Sequence, residues 1–201
     1  MDGEYVVNPV RLGRSELRIR QPAESAGLPD DGGVEWAPLA PYWSVMWRSG
    51  VALAKELDGA RVAGKRIVEL GCGLGLPSLA AARAGARVLA TDADPEAVAL
   101  LEENARDNDI GLEAMAVDWR TADALVARRP FDLILAADVL YERSHADNLL
   151  ELLPLLGRKA CVADPGRKHA ELFLRRARRR WTIDTQRRGV VSLHWLTTRE
   201  P

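Results

Sequence analysis

The sequence predicts an α/β protein: a Rossmann-like, doubly wound, seven-stranded sheet. The sheet is mostly parallel, ends in an antiparallel C-terminal strand pair and carries helices on both faces. Three observations predict it. Short, near-continuous apolar runs such as "KRIVEL" (65–70) and "FDLILAAD" (131–138) read as strands buried on both faces. Between the runs lie segments with apolar residues three and four apart, which read as helices. The last two runs, "WTIDTQR" and "VVSLHWLTT", flank Arg188-Gly189 like the arms of a hairpin.

The elements follow in chain order. "SELRIRQP" alternates as a strand does, and "PAESAGLPDDGG" reads as loop from its Pro, Gly and Asp content. The spacing of Trp43, Trp47, Val51 and Ala54 predicts a helix over 43–57. Strand 65–70 leads to helix "LPSLAAARAG", stopped by Gly85, and then to strand 86–92. Asp94 as N-cap and Pro95 at the first helical position open a helix over 94–108. Strand 112–118, the short helix "TADALVARR" and strand 131–138 come next. Helix "HADNLLELLPLL" should bend or end near Pro154, before strand 159–165 and helix "KHAELFLRRARRR". Alternating strands and helices imply parallel βαβ units with right-handed crossovers.

The composition fits a soluble protein. The 201 residues suit one domain with a short appendage and can bury a core unaided. Residues 1–35 read as an N-terminal extension of strand and loop, and 36–201 as the main domain. The net charge of −1 favours neither nucleic acid nor an anionic membrane, and no apolar run approaches the ~18 residues of a membrane span. The N-terminus lacks the pattern of a secretory signal, and the distant Cys72 and Cys161 suggest no disulfide framework. The expected location is the cytoplasm.

Ligands of such sheets bind beyond the carboxyl ends of the strands. "ELGCGLG", Glu69 to Gly75, joins the strand at 65–70 to a helix. The dinucleotide fingerprint G-x-G-x-x-G does not fit: the third spacing is wrong, position 76 is Leu, and Pro77 removes an amide donor. Glu69 would repel phosphates and suit a cation. Asp92 ends the second of these strands about 20 residues after the glycines, where an acid holds a ribose diol. Asp118 ends the third, where an acid can accept from an adenine amino group. A phosphate-free nucleoside carrying positive charge satisfies this set, and S-adenosylmethionine is such a molecule.

"VELGCGLG", "ATDADP", "AVDW" and "FDLILAADVLYE" resemble successive motifs of class I S-adenosylmethionine-dependent methyltransferases. Three features resemble the seven-β-strand protein-lysine methyltransferases: "PYWSVMWRSGVALAKEL" before the glycine loop, D-x-x-Y-E at Asp138, Tyr141 and Glu142, and "ADPGR" at 163–167. The nearest branch methylates the β subunit of electron-transfer flavoprotein and includes bacterial predicted nicotinamide N-methylases. The resemblance covers about residues 36–198, so that 36–201 reads as the methyltransferase domain. The branch has Gly-Gly where this chain has "RSG", and "DW" is more typical of neighbouring lysine-methylating branches.

The resemblance implies transfer of methyl groups from S-adenosylmethionine to lysine side chains of a protein, with S-adenosylhomocysteine as product. It implies cofactor contacts at Trp47, Glu69, Gly71, Gly73, Gly75, Asp92, Ala93, Asp118, Trp119 and Ala137, and an acceptor-amine end at Asp138 and Tyr141. Displacement from a sulfonium needs positioning and exclusion of water rather than a protein nucleophile or a metal. His145, His169 and His194 have no metal-ligand spacing. Trp43 reads either as a packing anchor or as a site residue, and Trp119 either packs on adenine or belongs to the core. "RRARRR" (175–180) reads as a solvated face, or as a dock for an acidic protein or RNA. "DPGR" either presents Arg167 at the substrate mouth or simply enters a helix, and Cys72 is a small loop residue. Alternative functions are N-methylation of a small amine or pyridine, and a non-catalytic cofactor-binding module. Base methylation is disfavoured, because "DVLY" replaces the expected Asn/Asp-Pro-Pro-aromatic loop.

Overall fold

The chain opens with an antiparallel hairpin, β1 (Tyr5–Arg11) and β2 (Glu16–Pro22), followed by the four-residue α1 (Ala23–Ala26). The structure, a computed structural model, describes residues 4–26, 28 and 41–199. Trp36 and half of the expected loop at 22–33 lie outside them; of the described half, Pro22 ends β2 and Ala23–Ala26 form α1 rather than loop. Strand β1 was not expected from the sequence. Asn8 and Pro9 interrupt its pattern, and its pairing with β2 supplies what its own residues do not announce.

The expected helix over 43–57 is shorter. Tyr42–Ser44 form a 3-10 turn, Val45 and Trp47 are extended, and α2 spans Arg48–Leu57 with Trp47 as its N-cap residue. The reason is local: the Trp47 indole N–H donates to the Tyr42 carbonyl at 2.8 Å. In a continuous α-helix that carbonyl would accept from the backbone N–H four residues on. Trp43 and Trp47 therefore do not share a helical face.

The rest follows the expected alternation: β3 (Arg66–Leu70), α3 (Leu76–Arg83), β4 (Arg87–Asp92), α4 (Pro95–Asp107), β5 (Glu113–Ala116), α5 (Asp123–Val126), β6 (Leu133–Ala137), α6 (Arg143–Leu156), β7 (Lys159–Asp164), α7 (Ala170–Ala177), β8 (Trp181–Arg188) and β9 (Val191–Thr198). A 3-10 turn at Trp119–Thr121 precedes α5, and Pro154 sits inside the last turn of α6. The seven-stranded sheet has the order β5-β4-β3-β6-β7-β9-β8, with only β9 running against the others.

Side-chain alternation divides the core in two. On β3, Ile67 faces one cluster while Val68 and Leu70 face the other; on β6, Leu133 and Leu135 oppose Ile134 and Ala136. The first cluster packs α2, α3, α4 and the hairpin residues Leu17 and Ile19; the second packs α6 and α7. Both faces of β3, β6 and β7 are buried, which is why these strands read as apolar runs.

Two asparagines attach the hairpin. Asn104 accepts from Arg20 N–H at 2.7 Å and donates to Arg20 C=O at 3.2 Å. Asn108 does the same for Arg18, at 2.9 and 2.7 Å. Positions i and i+2 of a strand repeat at about 6.6 Å and positions i and i+4 of a helix at about 6 Å, so α4 acts as a neighbouring strand for the β2 edge. Asn104 also donates to Leu74 C=O in the glycine loop at 3.2 Å. Asn104→Ala leaves these buried backbone groups unsatisfied and is expected to lower the unfolding free energy by about 2–3 kcal/mol. Urea denaturation measures it; a loss below about 0.5 kcal/mol would remove Asn104 from this role.

Candidate active site

The chain leaves β3 toward β4 and β5, and β6 begins the other half of the sheet. The loops after β3 and β6 therefore flank the switch point, where ligands bind in such folds. A cavity of about 440 Å³ opens there. Its wall includes Trp47, Glu69, Gly71, Gly73, Asp92, Ala93, Asp118, Trp119, Ala137, Asp138 and Tyr141, so one space collects residues from five segments. Of the expected site residues, Gly75 alone is missing from the lining. Its φ is 84°, and a Cβ there would stand 1.9 Å from Leu101 Cδ1, so it serves the seating of α3 against α4. Gly73 permits another close approach: its Cβ would lie 2.9 Å from the Trp43 carbonyl oxygen.

Glu69 is buried on the α3 side of the sheet. Its Oε2 accepts from Ser78 N–H at 2.9 Å and from Ser78 Oγ–H at 2.5 Å. Its Oε1 is buried with no hydrogen-bond partner among the described residues. Burial pushes this carboxyl up to about 8, against the Ser78 bonds, which act to lower it. Asp92 Oδ2 accepts from Gly73 N–H at 2.9 Å and Oδ1 from Asp94 N–H at 3.1 Å, which ties the glycine loop to the end of β4. Asp118 is clamped by its neighbour: both carboxylate oxygens accept from the Arg120 guanidinium, which holds the carboxyl down at about 2.

Asp138 is the least ordinary residue here. It is buried and has φ 60°, a left-handed conformation that costs a non-glycine residue about 1–2 kcal/mol. Its N–H donates to Ala163 C=O at 2.9 Å, and its Oδ1 accepts from Arg167 Nε at 2.6 Å. The turn after β7 thus sends Arg167 inward to Asp138 rather than out to a mouth. Burial pushes Tyr141 up to about 12, so its hydroxyl keeps its proton at neutral pH. The Tyr141 ring lies 5.3 Å from Tyr42 and 4.6 Å, edge-on, from His145. Trp119 is half-buried on the wall, with its ring edge-on to His145 at 5.5 Å.

From the sequence His145 was weighed only as a metal ligand, yet it lines the cavity. Its Nδ1 lies 3.1 Å from Val139 C=O, an acceptor only, so Nδ1 carries hydrogen and Nε2 points toward Glu142 at 3.8 Å. The only sequence signal was a His four residues beyond Tyr141 at a helix start. No group of three or more His, Cys, Asp or Glu suited to a metal occurs among the described residues.

The profile of a family described as lysine methyltransferase matches residues 42–172. The chain belongs to this family. The zebrafish (Danio rerio) electron transfer flavoprotein beta subunit lysine methyltransferase is 33% identical over 178 residues, 85% of this chain and 67% of the relative. The Xenopus laevis protein of the same name is 35% identical over 66% of this chain; there the chain spans 55% of the relative's length. Among solved structures, a T. thermophilus 16S rRNA N2 G1207 methyltransferase shares the fold at TM-score 0.72 and 19% identity, over 97% of this chain and 51% of that one. This lysine methyltransferase family member is thus a class I S-adenosylmethionine-dependent methyltransferase. The cavity fits that cofactor: its wall offers to positive charge a buried carboxyl oxygen of Glu69 that has no hydrogen-bond partner among the described residues.

Between about pH 4.5 and 8 the folded protein keeps on Glu69 a proton that the unfolded chain has lost. Stability therefore falls as pH rises through that window and levels off above about 8. Asp164, pushed up to about 6 by burial, adds to the acid part of the same slope. Glu69→Gln, neutral at every pH, is expected to flatten the slope between pH 6 and 8 in urea titrations; an unchanged slope would exclude Glu69 as its source.

Proposed function

We propose that the protein transfers methyl groups from S-adenosylmethionine to a lysine side chain of a protein substrate, in the cytoplasm. The observation that carries this reading is the chemistry of the cavity wall. Among the described residues, the wall carries five acidic side chains (Glu69, Asp92, Asp118, Asp138 and Glu142) and one guanidinium, Arg120, among rings from Tyr42, Trp43, Trp47, Trp119 and Tyr141. Carboxylates and aromatic faces suit a sulfonium and an ammonium, and they repel phosphates. The zebrafish and Xenopus relatives are named for the β subunit of electron transfer flavoprotein, which makes that subunit the first acceptor to test.

In this reading Glu69, Asp92, Ala93, Asp118, Trp119, Ala137, Trp47 and the glycine loop hold the cofactor. When bound, S-adenosylmethionine supplies an electrophilic methyl group on a sulfonium. Asp92 fixes the loop through Gly73, and Glu69 ionises as positive charge enters beside it. Asp138 and Tyr141 orient the acceptor amine. Tyr141 does so as a neutral hydroxyl, since burial keeps its proton in place. The rings exclude water from the path of transfer. The hairpin-bearing 1–35 segment is an extension of the 36–201 methyltransferase domain.

The test is transfer of labelled methyl from S-adenosylmethionine to the source organism's electron transfer flavoprotein β subunit and to its whole lysate. Label in a protein lysine is the expected result; label confined to small molecules overturns the reading. Asp138→Ala is expected to lower turnover at least about 100-fold while leaving S-adenosylhomocysteine affinity within a few fold. Normal turnover in a folded variant would remove Asp138 from the site. Calorimetry in buffers of different ionisation enthalpy should show release of close to one proton at pH 7 when S-adenosylmethionine binds, and none in Glu69→Gln. Equal release by both would place the proton elsewhere.

A further inference from the structure

The turn after β7 is shaped around one side chain. Asp164 Oδ2 accepts from Gly166 N–H at 2.7 Å and from Arg167 N–H at 3.1 Å. So held, Arg167 points inward. Its Nε meets Asp138 Oδ1 at 2.6 Å, with the two side chains only 8% and 3% exposed. Its guanidinium carbon lies 5.1 Å from the centroid of the Trp47 ring. Asp138 and Trp47 both line the cavity, so the guanidinium supports its wall from behind. A buried ion pair of this kind adds little stability over apolar residues of the same volume. Its use is to be sought in the chemistry of the wall.

That chemistry contains a conflict. A lysine amine attacks only through a free lone pair, so its ammonium must first give up a proton. A carboxylate is a good handle for orienting the amine, but a buried carboxylate beside it raises the amine's pKa by about 1–3 units and keeps it charged. The surroundings make this worse: Asp164 lies beside Asp138, and Tyr141 feels Asp92, Glu142 and Asp138 together. Tyr42 and His145 bring rings to Tyr141, and Arg120 at the cavity rim is held by Asp118.

We propose that Arg167 is a positioning residue for methyl transfer: it neutralises Asp138, so that this carboxylate orients the acceptor amine without holding the amine's proton. The inference rests on the lysine reading above. The ammonium's proton leaves to solvent. The nitrogen lone pair then forms the N–C bond as the S–C bond breaks, and the S–C electrons stay on sulfur as the neutral thioether. The positive charge passes from sulfur to nitrogen, and Asp138 accepts an N–H bond first from the neutral amine and then from the methylammonium product.

Two measurements test this. The first is NMR titration of Nα-acetyl-lysine N-methylamide, labelled with carbon-13 at Cε, bound to protein saturated with S-adenosylhomocysteine. The native protein should show the amine neutral below its ordinary value of about 10.4. Arg167→Gln, a donor without charge, should raise the midpoint by about one unit or more, as should Arg167→Met, while Arg167→Lys stays within about half a unit of native. The second is kcat against pH for methylation of the electron transfer flavoprotein β subunit. The acid limb should move with the midpoint, leaving Arg167→Gln about ten-fold slower at pH 7 and within a few fold of native at pH 9.5 or above. Adding Asp138→Asn should abolish the midpoint shift. A folded Arg167→Gln with native S-adenosylhomocysteine affinity and a native midpoint, or a rate lost equally at every pH, overturns the proposal. If the native protein methylates no protein, the lysine reading fails, while the NMR midpoint still judges Arg167 separately.

Discussion

A parallel sheet sends the carboxyl ends of its strands, and the N-termini of the helices that follow, to one edge. Here β3 feeds one half of the sheet and β6 the other, so the loops after them part and leave a crevice. Glu69 ends one side of that crevice, Asp138 the other, and Asp92 closes the loop between them through Gly73. The residues of the cavity wall come from five segments separated in sequence. The alternation of apolar side chains on β3, β6 and β7 between two core clusters holds the edges in register, and the chemistry is borne on those edges.

The same constraint orders the charges. Helices returning from the carboxyl edge end at the amino edge, where their dipoles favour cations. Arg66, Arg87 and Lys159 begin strands there, and Arg178 to Arg180 precede β8. Acids collect at the opposite edge, beside the helix N-termini. A net charge of −1 conceals this separation. It also supports the plain reading of the basic run at 175–180: Arg176 pairs with Asp147, and the neighbouring arginines are exposed at the end of α7. In the function proposed above, cofactor and acceptor both arrive carrying positive charge, which suits entry from the acidic edge.

The sheet was legible because strands buried on both faces leave continuous apolar runs and their crossover helices leave a 3.6-residue period. The acids at strand ends were legible for the same reason, since locating a strand locates its end. What periodicity could not show was a side chain taking the place of a backbone partner. The Trp43–Trp47 spacing fits a helix, yet the Trp47 indole occupies the carbonyl that the helix would need. Asn104 and Asn108 read as ordinary polar positions on α4 and in fact complete the edge of a strand some 85 residues away in sequence. Arg167 could be placed near the site but not aimed, because its direction comes from Asp164 accepting its own backbone N–H. His145 was weighed only as a metal ligand, because its place on the wall and its contact with the Val139 carbonyl are marked by no motif.

The aromatic segment before α2 gains its meaning from these failures. Tyr42 gives its carbonyl to Trp47 and its ring to Tyr141; Trp47 lends its face to Arg167; Arg167 holds Asp138. Asp138 and Tyr141 lie three residues apart, so the contacts close into a circuit around one side of the cavity. Three of its features are individually unfavourable: a left-handed Asp138, a buried guanidinium and a helix shortened at its start. They persist because each is fixed from two directions, and a substitution that satisfied one alone would release the next. An enzyme that must grip an amine and yet leave it uncharged has reason to hold its carboxylate in such a circuit. A freely rotating Asp at a strand end would pair with whatever cation arrived and keep it protonated.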